Sequence, residues 1–251
     1  MPSTSKRSKR PSKRPKRKTR IALDRLELPG GGEVEIRVRR SPRARRILLH
    51  VGSVAGDVEL VLPRWASRAE GMSFAKSKTR WIERRLGQVL TPIEFEHGTP
   101  ISILGKSLKI DFREGGRGAI ARNGTALIVT GKDIHLPRRV KTWLRAEAAR
   151  EIAMRVTEKA RSIGRRERRI VIRDPRTRWG SCSPEGSLSF SWRLLLAPER
   201  VLDYVVAHEV AHLVHLHHGR RFWQLVDRLC DDAATARAWL RMNGGELHRY
   251  G

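Results

Sequence analysis

Cysteine is scarce in this chain. There are two in 251 residues, Cys182 and Cys230, and neither has a C-x-x-C partner. A disulfide framework is therefore not expected. Long apolar runs are missing as well. Stretches such as Val54–Leu62 and Leu194–Ala197 are short or interrupted, and none approaches the roughly 20 residues of a membrane span. No apolar segment follows the basic N-terminus, so no secretory signal is visible. A cytoplasmic chain with free thiols and no membrane partner is the expectation. Acidic residues are the third shortage, 26 against 53 Lys and Arg, for a net charge of +27. Ten of the positive charges and no acid fall in residues 1–20, so +17 remains on the rest. Such an excess suits polyanions, nucleic acid first and anionic membrane or acidic protein behind it. The plainer reading of the body is an arginine-rich, solvated surface.

What is present is enough for one large or two small domains with a real core: 251 residues, 39% of them apolar. Residues 1–20 hold little besides Ser, Pro, Lys and Arg and are expected to be disordered, as a nucleic-acid arm or an address signal. Alternation from Glu33 to Arg39 puts Val34, Ile36 and Val38 on one face of a strand, and 46–51 and 57–62 repeat the pattern. Helical spacing then runs from Ser67 to Leu90, with Ser67 as N-cap and Glu70 at the capping-box position. Strands follow at 100–104, 107–112 and 125–129, with turns at Gly105-Lys106 and Gly115–Gly118. Pro137 opens a long amphipathic helix that Gly164 closes. A strand at 169–173 precedes Arg178-Trp179-Gly180-Ser181-Cys182 and a hairpin into Ser187–Leu194. Helices are expected from Pro198, around 221–230, and at 233–242, the last capped by Asn243-Gly244.

The chemistry concentrates in His208-Glu209-Val210-Ala211-His212 and the histidines just after it, His215, His217 and His218. Residues four apart share a helix face, so His208 and His212 can address one ion. Glu209 sits one step round, where it reaches a water rather than the ion. A metal hydrolase needs two imidazoles, a third ligand, an open position and a carboxylate that takes a proton. On a continued helix His215 shares the face but lies about 10.5 Å along the axis from His208, too far for one ion. His218 reaches only if the chain turns after about Leu216. It is the favoured third ligand, with His217 and His215 behind it.

Three runs carry a resemblance: RWGSC (178–182), LSFSWRLLLAP (188–198) and LDYVVAHEVAHLVHLHHGRRFW (202–223), with KTRWIE (78–83) and Gly98–Leu104 upstream. From about Arg37 to Gly244 the chain resembles the YgjP-like metallopeptidase family, a minimal zincin fold. It is more distantly similar to SprT-type proteases that act on DNA-bound proteins. The resemblance implies zinc held by His208, His212 and His218, with Glu209 as general base. Ser191 and Gly219 stand where the family often has Asn and Ser, and neither change removes a ligand. The ligand spacing coincides with that of metzincins, but His215 replaces their glycine and no Met-turn follows.

The expected architecture is α+β: a disordered basic tail (1–20), a β-rich part with one helix (21–136) and a zincin-like metal-binding catalytic core (137–251). The expected function is a zinc-dependent metallohydrolase, in the first place a peptidase acting on protein or peptide. Nucleic acid is a further partner through the tail and basic surface. The alternatives are a metal-dependent nucleoside triphosphate hydrolase and a nucleic-acid-binding protein with a structural metal site. Arg178, Ser181 and Tyr204 are candidate substrate contacts. Trp179, Trp192, Phe222 and Trp223 are read as core, Cys182 as a small packed residue. Asp203 is read either as orienting a ligand histidine or as favouring the first helical turn. Oligomeric state does not follow from these residues.

Overall fold

The structure, a computed structural model, describes residues 22–52, 54 and 56–251. The basic tail, residues 1–20, lies outside them. The described residues divide into two compact units, one of 22–52 with Gly56–Val89, the other of residue 54 with Leu90–Gly251. This division lies upstream of 136/137, where the sequence separates a β-rich part from the metal-binding part. The architecture is α+β, with the strands concentrated in the N-terminal half and a helical C-terminal half.

The first unit is a four-stranded sheet with a helical cover. Its strands are β1 (Ala22–Glu27), β2 (Glu33–Arg40), β3 (Leu48–Val51) and β4 (Val58–Leu62), in the order β1-β2-β4-β3. Alternation in β2 buries Ile36 and Val38, while β4 buries Val58, Leu60, Val61 and Leu62. β1 was not anticipated. Its inner positions include Asp24, which breaks the apolar alternation and pairs with Arg68 at 2.5 Å, while Leu23 points outward.

The single helix expected from Ser67 is two, α1 (Arg68–Lys76) and α2 (Thr79–Leu86). The start is as expected: Glu70 N–H donates to Ser67 Oγ, and Ser67 N–H donates to the Glu70 carboxylate. The break between them contains neither glycine nor proline. Hydroxyls compete for helical carbonyls there, Ser77 Oγ donating to Phe74 O and Thr79 Oγ1 to Lys76 O.

The second unit begins with a three-stranded sheet of β5 (Pro100–Ile103), β6 (Lys106–Asn123) and β7 (Ala126–Gly131), in that order. Leu104 and Gly105, at φ 51° and 81°, make the tight β5–β6 connection, a shape that needs left-handed backbone at both positions. β6 is far longer than the expected 107–112. It pairs parallel with β7 up to Glu114, bulges through Gly115–Gly118, and returns to the same strand at Ile120–Asn123.

A long helix, α3 (Leu136–Ser162), buries Val140, Leu144, Ala148, Ile152 and Val156 and ends before Gly164, at φ +63°. A second sheet follows, built from β8 (Arg169–Arg173), β9 (Gly180–Cys182) and β10 (Ser187–Ser191) in the order β8-β10-β9. The strand expected to reach Leu194 stops at Ser191. Trp192–Leu196 is a 3-10 turn with all five residues buried, which a strand exposing alternate residues cannot provide. Three helices complete the unit: α4 (Glu199–Ala211), α5 (Arg220–Leu229) and α6 (Ala233–Leu247). α6 runs through Asn243-Gly244 rather than stopping there. A β-carbon on Gly244 would sit 3.0 Å from the Trp179 ring, so this glycine serves close approach and not helix termination. The α3, α4 and β10 faces share one core, with Phe190, Trp192, Val205 and Val206 inside it.

Candidate metal centre

α4 is apolar on the faces it turns to the core, burying Val201, Leu202, Val205, Val206 and Val210. That packing fixes its rotation and sends His208 and His212 out together. The helix ends at Ala211, earlier than the turn expected after about Leu216. Val214 and His215 N–H both donate back to Ala211 O, which tightens the chain into a turn. A short loop then leads to Gly219, the N-cap of α5, and brings His218 back over α4.

The three imidazoles meet. Ring centroids lie 5.0 Å apart for His208–His212, 5.0 Å for His208–His218 and 4.8 Å for His212–His218. His208 Nε2 and His218 Nε2 are 3.1 Å apart. One donor nitrogen from each of the three residues lies within 4.8 Å of the others, and this is the metal-type cluster found among the described residues. His217 is exposed and lies outside it. His215 contributes its carbonyl and not its ring: His212 Nδ1 donates to His215 O at 2.9 Å. A carbonyl only accepts, so the proton is on Nδ1 and His212 Nε2 keeps its lone pair.

The donor chemistry fits a divalent ion. Burial holds His208 neutral, with its pKa pushed down to about 4, the other two histidines and Arg237 adding to the effect. Burial lowers His212 too, against the His215 hydrogen bond. Neutral imidazoles are the form that ligates.

Two aromatic residues hold the rings. Phe222 is fully buried, its centroid 5.0, 4.5 and 4.7 Å from those of His208, His212 and His218. Trp223 stacks on His218 at 5.7 Å, and its Nε1–H donates to His218 O at 3.1 Å. Arg237 in turn lies over the Trp223 ring at 5.1 Å. Read as core in the sequence, this pair is also the support of the site. The signal was their position, four and five residues after His218 on an amphipathic helix.

Glu209 is only 5% exposed. Burial raises its pKa to about 7 against the pull of Arg178. It lies against β9 at Gly180, which has no side chain to obstruct it. A β-carbon on Gly180 would stand 2.5 Å from Glu209 Oε1 and 2.6 Å from its Cγ. Gly180 stands inside the Arg178–Cys182 motif, whose residue types alone assign it no role.

The other candidates are placed as follows. Arg178 is exposed, just before β9. Ser181 is half-buried in β9 opposite Ser189. Tyr204 is nearly buried and edge-on to His208, centroids 6.0 Å apart. Asp203 neither orients a histidine nor acts only on the first turn: it pairs with Lys159 of α3 at 3.0 Å, because its position on α4 faces that helix. Trp192 is core, whereas Trp179 is half-buried and stacks on His248 at 5.0 Å. Burial pushes the Cys182 thiol up to about 11, with Glu209 and Glu185 adding to it, and its Sγ–H donates to Ser183 O. Among the described residues no helix is long and apolar enough to cross a membrane.

Fold and donor set together define a class: an α+β domain with a histidine centre of metal-ligand type beside a buried carboxylate. Within it, the chain belongs to the YgjP-like family, whose metallopeptidase-domain model matches residues 45–243. No curated protein and no solved structure matches the chain.

Proposed function

We propose that this chain is a zinc-dependent peptidase, with His208, His212 and His218 as metal ligands and Glu209 as general base. The carrying observation is the convergence of three imidazoles, two with Nε2 atoms 3.1 Å apart, with the buried Glu209 next to His208 on α4. A divalent ion bound there supplies Lewis-acid polarisation of the scissile carbonyl and acidifies a water. Glu209 takes the proton from the attacking water and returns it to the leaving amine. Gly180 keeps the Glu209 carboxylate close to β9.

The substrate side of the reading rests on β9. That strand pairs with β10 alone among the described strands, so an extended peptide can add along Gly180–Cys182. Arg178 then holds a substrate carboxylate, Ser181 bonds the peptide, and Tyr204 borders the reacting carbonyl. All of these residues belong to the part assigned as catalytic, 137–251. A structural site normally closes its fourth position with a further Cys or His. Neither Cys182 nor His217 is in the donor cluster, which favours the catalytic reading.

The test is Glu209→Gln, assayed beside the wild type after zinc loading, on unfolded casein and on a nucleoside triphosphate panel. The variant keeps its zinc and loses on the order of 10²–10⁴-fold in casein turnover. Turnover of triphosphates but not casein, lost in the same variant, replaces peptidase with nucleotide hydrolase. Full activity of the variant on either substrate removes Glu209 from its role.

A further inference from the structure

The first compact unit carries a groove of its own, of about 870 Å³. One wall is Arg46–Leu49, leading along β3, which is the last strand of its sheet. The other wall is the α1–α2 corner between Phe74 and Arg84.

The two kinds of lining are distinct. Leu48, 41% exposed, and the half-buried rings of Phe74 and Trp81 offer apolar surface. Arg46, Lys78, Arg80 and Arg84 are all exposed around it, and no acidic residue lines the groove. None of these four has an ion-pair partner among the described residues. Elsewhere in the same unit Arg25, Arg39 and Arg68 pair with Glu33, Glu59 and Asp24. The first turn of α2 adds no acid and no side-chain cap of its own. Lys78 lies over Phe74 and Arg85 over Trp81, at 5.9 and 5.8 Å, so cations stand directly beside both rings.

We propose that this groove binds single-stranded nucleic acid, phosphates on the four cations and bases against Leu48, Phe74 and Trp81. A nucleotide strand supplies an anion and a flat apolar face in every repeat, which matches cations set around aromatic and aliphatic surface. A duplex hides its base faces. An acidic peptide offers either a carboxylate or an apolar side chain at each position, and so matches the mixture less well.

The test uses the full chain and labelled 12-mers of oligothymidylate and oligouridylate, with binding read by fluorescence anisotropy across a salt series. The groove variant is Arg46→Gln, Arg80→Gln and Arg84→Gln together. A control removes equal charge at Arg161, Arg165 and Arg166. All six positions are exposed, so neither variant is unfolded by the changes. The groove variant binds at least about tenfold more weakly, and its log K against log salt slope flattens by about two, at roughly 0.7 per phosphate contact on single strands. The control changes far less. Bromouracil-substituted oligomers, irradiated on the wild type, crosslink to the peptide holding Phe74 or Trp81. The DNA and RNA arms show which sugar the groove prefers. Equal loss in both triple variants, or tighter binding of a matched duplex, overturns the proposal. So does an acidic leucine-bearing peptide whose affinity, unlike that of the oligomers, falls in the groove variant.

Discussion

Substituting Gly180 by alanine isolates the contact between β9 and the proposed general base. Gly180 does not have positive φ, so alanine is compatible with its backbone and the change probes space alone. The new β-carbon stands 2.5, 2.6 and 2.8 Å from Glu209 Oε1, Cγ and Cδ. Carbon contacts are comfortable at about 3.5–4.0 Å, so the side chain must retreat by roughly 1 Å. It cannot swing into solvent without leaving a buried site, since Cγ is engaged as well as the carboxylate. Displacement on that scale costs about 10²-fold in turnover when the group is catalytic. Overpacking itself costs about 1–3 kcal/mol of stability.

Three measurements are needed: zinc content, casein turnover and the urea midpoint. Gly180→Ala keeps its zinc, because no ligand is touched, loses about 10²-fold in turnover, and unfolds at lower urea. A second background sharpens the test. With Glu209→Ala already present, Gly180→Ala costs almost no stability, because the clashing atoms have gone. Unchanged turnover at unchanged zinc content refutes the reasoning. An equal stability loss in the Glu209→Ala background shows that the strain lies elsewhere.

Three other predictions concern the same unit. His218→Ala weakens zinc binding in a chelator competition by well over 10²-fold, beyond the 10–100-fold of outer-shell changes, whereas His215→Ala changes it little because the carbonyl survives. Trp223→Phe removes the indole N–H from His218 O, lowers stability by about 1 kcal/mol, and weakens zinc about tenfold by loosening the ligand. Asp174 is pushed up by burial but more strongly down by the Arg193 hydrogen bonds and charge, ending below the usual carboxylate range. A depressed folded pKa stabilises above the unfolded value of about 4 and is lost as pH falls through the folded pKa. Asp174→Asn is therefore less stable than the wild type at neutral pH, and the difference narrows in urea titrations below about pH 4.

Much of the fold was legible because alternation and helical spacing follow directly from one-sided burial. β2, β4 and α3 carry clean apolar periods, and the capping box announces α1. The misses arise where a distant contact or a local side-chain bond overrides the simple periodic signal. β1 escaped because Asp24 faces inward to meet Arg68 from a distant helix. The helix after Ser67 splits at hydroxyl side chains that on sequence alone suit a helix surface. Asn243-Gly244 reads as a stop, yet Gly244 is there to let Trp179 approach α6. Gly180 is the same lesson at the site: a glycine inside a strand motif is silent until the neighbour that needs its missing side chain is known.

The histidine triad shows why spacing narrows a site without drawing it. A straight helix through residue 218 cannot bring three ring nitrogens together, since each residue adds about 1.5 Å of rise. The first five residues of the motif therefore require a helix, and the third imidazole requires its end. No glycine or proline occurs between His212 and Gly219 to supply that end. The chain supplies it with local hydrogen bonds, His215 N–H to Ala211 O and His212 Nδ1–H to His215 O. The second of these bonds does two jobs. It fastens the turn that returns His218, and it sets the tautomer that leaves His212 Nε2 free. The His212 side chain thus helps close the loop that delivers the third imidazole, so this histidine links helix termination to donor geometry. The same coupling gives His212→Ala a signature that simple ligand loss lacks: increased hydrogen exchange at the His215 amide even without zinc. Replacement by Asn, whose amide can still donate to His215 O, restores part of that protection but not the metal affinity.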